Sequence, residues 1–205
     1  MGRGAVFVLC LCLIQACAST PDPPQKPSQL CEVFRGQPKW YKKARIASLR
    51  WGVPIPVLMA VMYQESGFRA KAKPPRTTCL WVFPGPRKSS AYGYAQAKDE
   101  TWQGYKKDSG RRGADRDDFG DAIDFVGWYC NQSHRRCGID KKDAHGLYLA
   151  YHEGHGGYNR RTFKKKAWLL RVARKVEHRA QAYERQLASC EAALNRGRPC
   201  CLWPF

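Results

Sequence analysis

Glu65 is the acidic side chain whose setting best suits acid–base chemistry. It follows the apolar segment Val57–Met62. On a helix, Leu58, Met62 and Glu65 fall at positions i, i+4 and i+7 and share one face. Such a face packs inward, so we expect a poorly solvated carboxyl with a raised pKa, able to protonate the leaving oxygen of a glycoside. The alternative is a structural glutamate in a salt bridge with an arginine.

The elements that must position this carboxyl are helices. Gly52 and Gly67 are predicted helix ends, and Pro54 and Pro56 set a helix start. Strand composition is confined to the short segment 79–83. The sequence therefore predicts a mostly α fold with long loops. The predicted helices run from Lys39 to Trp51, from Pro54–Pro56 to Ser66, from Asp99 to Lys107, from Asp118 to about His134, from Asp140 to about Glu153, and from Thr162 to about Leu194.

The N-terminal residues have the pattern of an export signal. Arg3 precedes the apolar run Ala5–Ile14, which is too short to span a bilayer but fits the core of a signal peptide. The segment Leu13–Cys17 resembles the lipobox of bacterial lipoproteins, in which the cysteine is lipidated. The segment Ala16–Ala18 also fits plain secretory cleavage. Lipidation of Cys17 is favoured, and both interpretations place the mature protein outside the cytoplasm.

The charge balance limits the possible partners. The chain has 36 Lys and Arg against 17 Asp and Glu, a net charge of +19. Such a surface attracts nucleic acid, anionic lipid headgroups or an acidic cell-wall polymer. Because export separates the protein from nucleic acid, we expect no nucleic-acid partner. A cationic nucleic-acid-binding protein is an alternative, since the run 160–166 with Arg171, Arg174 and Lys175 is basic enough, but a solvated helix face explains this run as well.

Export also makes disulfides the expected state of the cysteines. Cys130 and Cys137 lie at a predicted helix end and in the following turn, and we predict a bridge between them. Pairing of either with Cys79 or a C-terminal cysteine is the alternative. A zinc site that includes His134 is a weaker alternative, because the spacing matches no common zinc pattern. Seven of the ten cysteines lie beyond Cys17: Cys31, Cys79, Cys130, Cys137, Cys190, Cys200 and Cys201.

The adjacent Cys200 and Cys201 pose a separate question. A bridge between neighbours is strained, so each is expected to pair elsewhere if it pairs at all. Cys31 and Cys190 are the predicted disulfide partners of these two residues. Because seven is an odd number, one thiol is left free, joined to another chain or outside this scheme.

Three short segments occur in the order of one known family. They are Glu65–Phe68 (Glu-Ser-Gly-Phe), Ala91–Gln96 (Ala-Tyr-Gly-Tyr-Ala-Gln) and Ala150–Gly154 (Ala-Tyr-His-Glu-Gly). They resemble the catalytic Glu-Ser-Gly-Phe, the cleft-lining Gly-Leu-Met-Gln and the Ala-Tyr-Asn-Ala-Gly segments of the soluble lytic transglycosylases, relatives of goose-type lysozyme. The resemblance covers roughly residues 38 to 180.

The resemblance implies a lysozyme-like fold and cleavage of peptidoglycan glycan strands without a metal or cofactor. In that family one Glu protonates the oxygen between N-acetylmuramic acid and N-acetylglucosamine. The resulting carboxylate then takes a proton from the muramic C6 hydroxyl, and a 1,6-anhydro ring closes. Glu65 would be the catalytic residue, and the implied substrate-binding residues are Ser66, Gly93, Tyr94, Gln96 and Tyr151.

Departures from the family pattern leave alternatives open. His152 and Glu153 stand where the family has Asn and Ala. Glu153 or Asp99 could be the second carboxylate that a water-using, lysozyme-type hydrolase requires. An ion pair of Glu153 with His155 and Arg160 at the surface is the favoured interpretation. A cationic wall-binding protein without catalysis is a further alternative, against which the intact Glu-Ser signature argues.

Aromatic residues divide into a core set and a loop set. Four lie at helical spacing and are predicted to be buried: Trp102, Phe125, Trp128 and Tyr129. Trp81 and Tyr92 lie in or beside the long loop before Gly93. Exposed loop aromatics suit stacking on sugar faces, so these two are candidates for sugar contacts.

These patterns divide the chain into four predicted segments. Residues 1–17 are predicted to be a signal peptide with a lipobox, and residues 18–37 a proline-rich tether. Residues 38–195 form the lysozyme-like transglycosylase domain, and residues 196–205 are a cysteine-containing tail. A lipid anchor would hold the domain at the membrane facing the periplasm, in our prediction the outer membrane.

The lipid anchor gives a first testable prediction. Cys17→Ser is expected to shift the protein from the membrane fraction to the soluble periplasm, because the substituted chain has no thiol for the lipid. Immunoblotting of the two fractions measures this. If the partitioning is unchanged and a high-salt wash releases the protein, attachment is through the basic surface, since salt screens charge-driven binding.

Overall fold

The computed structural model describes residues 21–79, 83–87 and 89–196. Cys17, Trp81, Cys200 and Cys201 lie outside these ranges. Within them the fold is mostly α, as predicted. The helices are α1 (Leu30–Gly36), α2 (Pro38–Trp51), α3 (Ile55–Ser66), α4 (Asp99–Ser109), α5 (Phe119–Cys137), α6 (Ala144–Asn159) and α7 (Ala167–Asn195), with a 3-10 helix at Thr162–Lys165.

Most predicted helix ends are confirmed. α2 and α3 end at Gly52 and Gly67, which adopt left-handed φ values of 69° and 61°. A side chain with a Cβ is strained in that conformation, which is why glycine marks these positions. α5 begins after Asp118, whose carboxylate accepts a hydrogen bond from the Asp121 N–H at 2.9 Å.

The last two predicted helices differ from the prediction. α6 begins at Ala144 rather than Asp140, because the Asp143 carboxylate caps it by accepting from the Gly146 N–H at 2.8 Å. It continues past Glu153 to Asn159, but Gly154 interrupts its helical conformation with φ 73° and ψ 158°. The predicted helix from Thr162 is divided into the 3-10 helix and α7.

The first and last residues of the predicted strand segment, Cys79 and Phe83, lie in two different strands. Strands β1 (Arg76–Cys79) and β2 (Phe83–Arg87) pair antiparallel, with Arg76 opposite Arg87 and an irregularity between Arg76 and Thr78. Residues 80–82, the middle of the predicted strand, lie outside the described ranges. The strands therefore extend outward from the two ends of the segment that composition alone marked as a strand.

The end of the predicted tether is part of the folded domain. α1 lies within residues 18–37, yet Leu30, Val33 and Phe34 are fully buried. The Leu30 N–H donates to the Gln186 side-chain oxygen on α7 at 2.6 Å. The prediction of a tether up to residue 37 was therefore wrong for α1, because the apolar residues of this short helix pack against the distant α7.

The core is built around α3, where every residue from Ile55 to Met62 is buried. α3 packs against α5 and α7. Asp124 is a buried acid in this core, and it accepts hydrogen bonds from Tyr105 at 2.7 Å, Trp51 at 3.0 Å and Arg50 at 3.1 Å. These contacts join α2, α4 and α5. The four aromatic residues predicted to be core are all buried: Trp102, Phe125, Trp128 and Tyr129.

No single helix in the described ranges is long and apolar enough to cross a membrane. Only the pair α2 and α3, bent by 114°, reaches that length and composition together.

The disulfide predictions were wrong. Cys130 and Cys137 both carry free thiols, because α5 continues to Cys137 and places the two residues two turns apart on one helix. The bridge that does form joins Cys31 on α1 to Cys190 on α7, with a Cα–Cα distance of 6.2 Å. Cys31 and Cys190 are therefore not available to Cys200 and Cys201 in this structure.

The bridge yields a stability prediction. It closes a loop with a sequence separation of 159 residues, so Cys31→Ala/Cys190→Ala should lower the free energy of unfolding by about 2–5 kcal/mol. Urea unfolding under oxidising conditions measures the loss. Cys137→Ser, which removes a half-buried free thiol, serves as the control. A double variant as stable as the control would show that the bridge does not constrain the unfolded chain.

Candidate active site

The end of α3 positions Glu65. Ser66 is buried, and its hydroxyl donates to the Met62 carbonyl at 3.3 Å. Gly67 and Phe68 then take left-handed φ values of 61° and 63° in succession. For Phe68 this conformation costs about 1–2 kcal/mol, but its fully buried ring packs between Trp40 and Tyr63. The segment Glu65–Phe68 is thus a helix end that fixes the carboxyl two residues before the left-handed turn at Gly67.

The Glu65 carboxyl is surrounded by protein, although the residue remains partly accessible from a cleft. Burial raises its pKa from 4.5 to about 7, and a hydrogen bond with Tyr148 opposes the rise. Burial also raises the pKa of Tyr148, so its phenol stays neutral and donates to the carboxylate. Glu65 can therefore exist in both protonation states near neutral pH, as an acid–base group must.

An open cleft of about 400 Å³ lies over Glu65. It brings together three of the residues predicted for the site, Glu65, Gln96 and Tyr151. Phe125 and Tyr129 form part of its wall. The lining residues are Glu65, Ala91, Gln96, Ala97, Lys98, Thr101, Phe125, Tyr129, Tyr151, His152, Glu153 and Gly154.

The segment 91–97 forms one wall of the cleft and is held in part by the Gln96 side chain. Gln96 has a positive φ of 49°, and its amide donates to the Ala72 and Gly93 carbonyls at 2.9 Å each. Gly93 has φ 81°, and a Cβ at this position would clash with the Arg116 carbonyl. Gly93 and the side-chain amide of Gln96 therefore shape the wall, and Gln96 also lines the cleft.

Two residues predicted to bind substrate lie elsewhere. Tyr94 is 0% exposed and packs edge-on against Trp40 and Phe119 in the core. Its hydroxyl finds no hydrogen-bond partner among the described residues. Ser66 is buried beneath the turn and does not line the cleft. The sequence could not show this, because Tyr94 follows a glycine whose conformation reverses the direction of the chain.

Two tyrosines one helical turn apart on α6 face Glu65. Tyr151, predicted from the resemblance, lines the cleft and donates from its hydroxyl to the Ala95 carbonyl at 2.6 Å. Burial and the charge of Glu65 raise its pKa well above the ordinary value. Tyr148, which bonds to Glu65 itself, was not predicted. Its spacing of three residues from Tyr151 was the available signal, since such residues share a helix face.

Glu153 also lines the cleft, but the predicted surface ion pair with His155 and Arg160 was wrong. Its side chain is only 3% exposed, and the Lys166 ammonium lies 2.7 Å from one carboxylate oxygen. Thr162 and His152 also hydrogen-bond to the carboxylate. Burial alone raises the pKa of Glu153, yet these hydrogen bonds and the charge of Lys166 lower it to about 2. This carboxylate stays ionised.

Two further candidates from the sequence, Asp99 and Tyr92, contact charged residues outside the cleft lining. Asp99 is exposed and forms an ion pair with Arg116 at 2.7 Å. The Tyr92 hydroxyl donates to Asp117 at 3.1 Å, and the side chains of Lys73 and Arg116 lie over its ring. The structure thus holds Tyr92 among charged groups and does not place it in the cleft lining. Trp81 lies outside the described residues.

The structure offers no support for the zinc alternative. No group of three or more His, Cys, Asp and Glu side chains in the described ranges is placed to hold a metal ion. His134 lies near the end of α5, where its ring nitrogen Nδ1 is 2.8 Å from the Ile139 carbonyl.

A protonatable carboxyl in an open cleft is the arrangement of an enzyme that uses acid–base catalysis. The chain belongs to the transglycosylase SLT domain family, whose pattern matches residues 5–190. This membership supports an enzyme that acts on peptidoglycan, and the prediction of a mostly α, lysozyme-like fold is confirmed. Searches of curated proteins and of solved structures gave no match.

The pKa of Glu65 gives a direct prediction. Tyr148→Phe removes a hydrogen bond that favours the carboxylate, so the pKa of Glu65 should rise above about 7. A carbon-13 NMR titration of the Glu65 carboxyl measures both midpoints. Tyr158→Phe, which alters a tyrosine outside the cleft lining, should leave the midpoint unchanged. An equal or lower midpoint in Tyr148→Phe would contradict the assigned hydrogen bond.

The raised pKa of Glu65 also makes the stability of the fold depend on pH. The folded state holds the Glu65 proton more tightly than the unfolded state, whose pKa is near 4.5. The stabilisation is therefore fully present below about pH 4.5 and is lost as the pH rises through about 7.

Proposed function

We propose that this protein is a peptidoglycan lytic transglycosylase. It cleaves the β-1,4 bond between N-acetylmuramic acid and N-acetylglucosamine and leaves a 1,6-anhydromuramic end. The observation that carries the proposal is the Glu65 carboxyl, which is buried, has a pKa of about 7 and opens to the cleft. Family membership supplies the substrate class.

One carboxyl can perform both proton transfers of this reaction. Protonated Glu65 donates its proton to the glycosidic oxygen while the bond to the anomeric carbon breaks. The carboxylate then accepts the proton of the muramic C6 hydroxyl, whose oxygen attacks the anomeric carbon and closes the ring. The proton gained in the second step equals the one lost in the first. A pKa near the working pH suits a group that must act as both acid and base.

Neighbouring residues support this cycle. Tyr148 donates to the Glu65 carboxylate and stabilises it between the two steps. Tyr151 is fixed by its hydrogen bond to Ala95, so its ring forms a rigid wall beside the carboxyl. Gln96 also lines the cleft, and its side-chain oxygen can accept from a sugar hydroxyl or amide.

The state of the second carboxylate favours this reaction over hydrolysis with water. A water-using enzyme that inverts needs a second carboxylate as general base. Glu153 is a weak base, with a pKa lowered to about 2 by its hydrogen bonds. Asp99 is exposed, paired with Arg116 and absent from the cleft lining. Glu65 is therefore the carboxyl in the cleft that is suited to proton transfer.

The proposed substrate also gives the location of the enzyme. Peptidoglycan lies outside the cytoplasmic membrane, in accord with the export signal in residues 1–17. We propose that lipidation of Cys17 holds the domain at the outer membrane, facing the periplasm. The positive surface, with a net charge of +19, would attract the acidic wall polymer.

Glu65→Gln tests the catalytic assignment. The amide has the same shape but cannot donate and recover a proton, so cleavage of purified sacculi should fall at least about a hundredfold. Mass spectrometry of wild-type products should show 1,6-anhydro ends.

Glu100→Gln, an exposed residue of α4, is the matched control and should remain fully active. Retention of more than about a tenth of the activity by Glu65→Gln would refute the role assigned to Glu65. Reducing ends in the products would identify a hydrolase, and intact sacculi would identify a wall-binding protein.

A further inference from the structure

An exposed tryptophan stands at the rim of the cleft. Trp168, at the start of α7, is 48% exposed. Its ring meets the ring of His152 edge-on, with centroids 5.1 Å apart, and His152 lines the cleft. Exposing a large aromatic ring to water is costly, and a flat exposed ring beside a glycan site is suited to packing on the apolar face of a sugar.

Trp168 begins a row of side chains along one edge of α7. Val172, Lys175 and Arg179 follow at i+4, i+7 and i+11, the spacing that aligns residues on one helix face. Val172 is partly buried, and Lys175 is exposed. The Arg179 guanidinium lies 3.8 Å from the centroid of the Tyr63 ring on α3. The row therefore runs from the cleft rim towards the last turns of α3.

The surroundings of this row are strongly basic. Residues 160–176 contain no Asp or Glu, and Arg171 and Arg174 are exposed near the row; the half-buried Glu177 is the one acidic residue between Trp168 and Arg179. Lys166, just before the row, already pairs with Glu153. Apart from the sugars, a peptidoglycan strand carries stem peptides with free carboxylates. A basic row next to an aromatic ring thus matches a glycan strand that still bears its peptides.

We propose that Trp168, Lys175 and Arg179 form an accessory binding strip, the α7 strip, for peptide-bearing glycan where it leaves the cleft. Trp168 packs on a sugar ring outside the reaction centre, and Lys175 and Arg179 bind stem-peptide carboxylates. This inference rests on the proposed function and adds a preference for strands with stem peptides over strands from which an amidase has removed them.

The aromatic part is tested with Trp168→Leu and Trp168→Tyr. Trp168→Leu should raise KM for peptide-bearing strands about threefold to tenfold with kcat largely retained, because a stacking contact of this kind is worth about that factor. Trp168→Tyr should restore most of the loss, because a flat ring is present again. Leu49→Ala, which removes an exposed apolar side chain of α2, is the control. An unchanged KM in Trp168→Leu, or a fall confined to kcat, would overturn the aromatic role.

The charged part is tested with Lys175→Gln/Arg179→Gln on two substrates. KM for peptide-bearing strands should rise severalfold and lose most of its salt dependence, whereas KM for amidase-stripped strands should not change. Arg185→Gln/Lys107→Gln removes two exposed charges elsewhere and is the matched control. Equal effects on both substrates would overturn the assignment to stem peptides.

The two proposals fail in different ways. If Glu65→Gln stays active, the proposed function is wrong, whatever the strip variants do. If Glu65→Gln is inactive and the strip variants match their controls, the proposed function stands and the α7 strip is wrong.

Discussion

The candidate site depends on the desolvation of one ionisable group, the Glu65 carboxyl, which is unfavourable when the group is charged. α3 is the most deeply buried helix of the domain, and its last turn carries a carboxyl into the same interior. Among the described residues, the partner that hydrogen-bonds to this carboxyl is the neutral phenol of Tyr148 rather than a cation. A cationic partner would stabilise the carboxylate and remove the proton that the proposed reaction requires. The surrounding core must therefore supply enough stability to tolerate a group that destabilises the fold when it is charged.

The contrast with Glu153 shows how the surroundings separate two similar acids. Both glutamates line one cleft, yet the pKa of Glu65 is raised to about 7 and that of Glu153 is lowered to about 2. Lys166, Thr162 and His152 all contact the Glu153 carboxylate, so its charge is compensated. Its function is structural, because it connects α6 to the start of α7 across the break at Gly154. Acids with separated pKa values can take different roles in a single site.

The sequence predicted those features of the fold that depend on neighbouring residues, such as helix ends and the apolar face of α3. Gly52 and Gly67 end their helices because only glycine adopts a left-handed conformation without strain, and the apolar row on α3 correctly indicated a poorly solvated Glu65 carboxyl with a raised pKa. Contacts between distant segments were not predictable in this way. The pairing of Cys31 with Cys190 depends on where α1 packs against α7, and the burial of Tyr94 depends on the close approach of Gly93 to Arg116. Tyr148 was missed because no motif marked it.

The bridge between α1 and α7 also determines how the domain bears mechanical load. Cys31 lies in the first described helix and Cys190 near the end of the last one. Tension applied to the chain before Leu30 passes through this covalent link into the longest helix, so it cannot peel α1 away from the domain. The force path between the two ends of the fold bypasses α6 and the segment 91–97. Tension between the two ends of the described fold would therefore leave the geometry of the cleft undistorted.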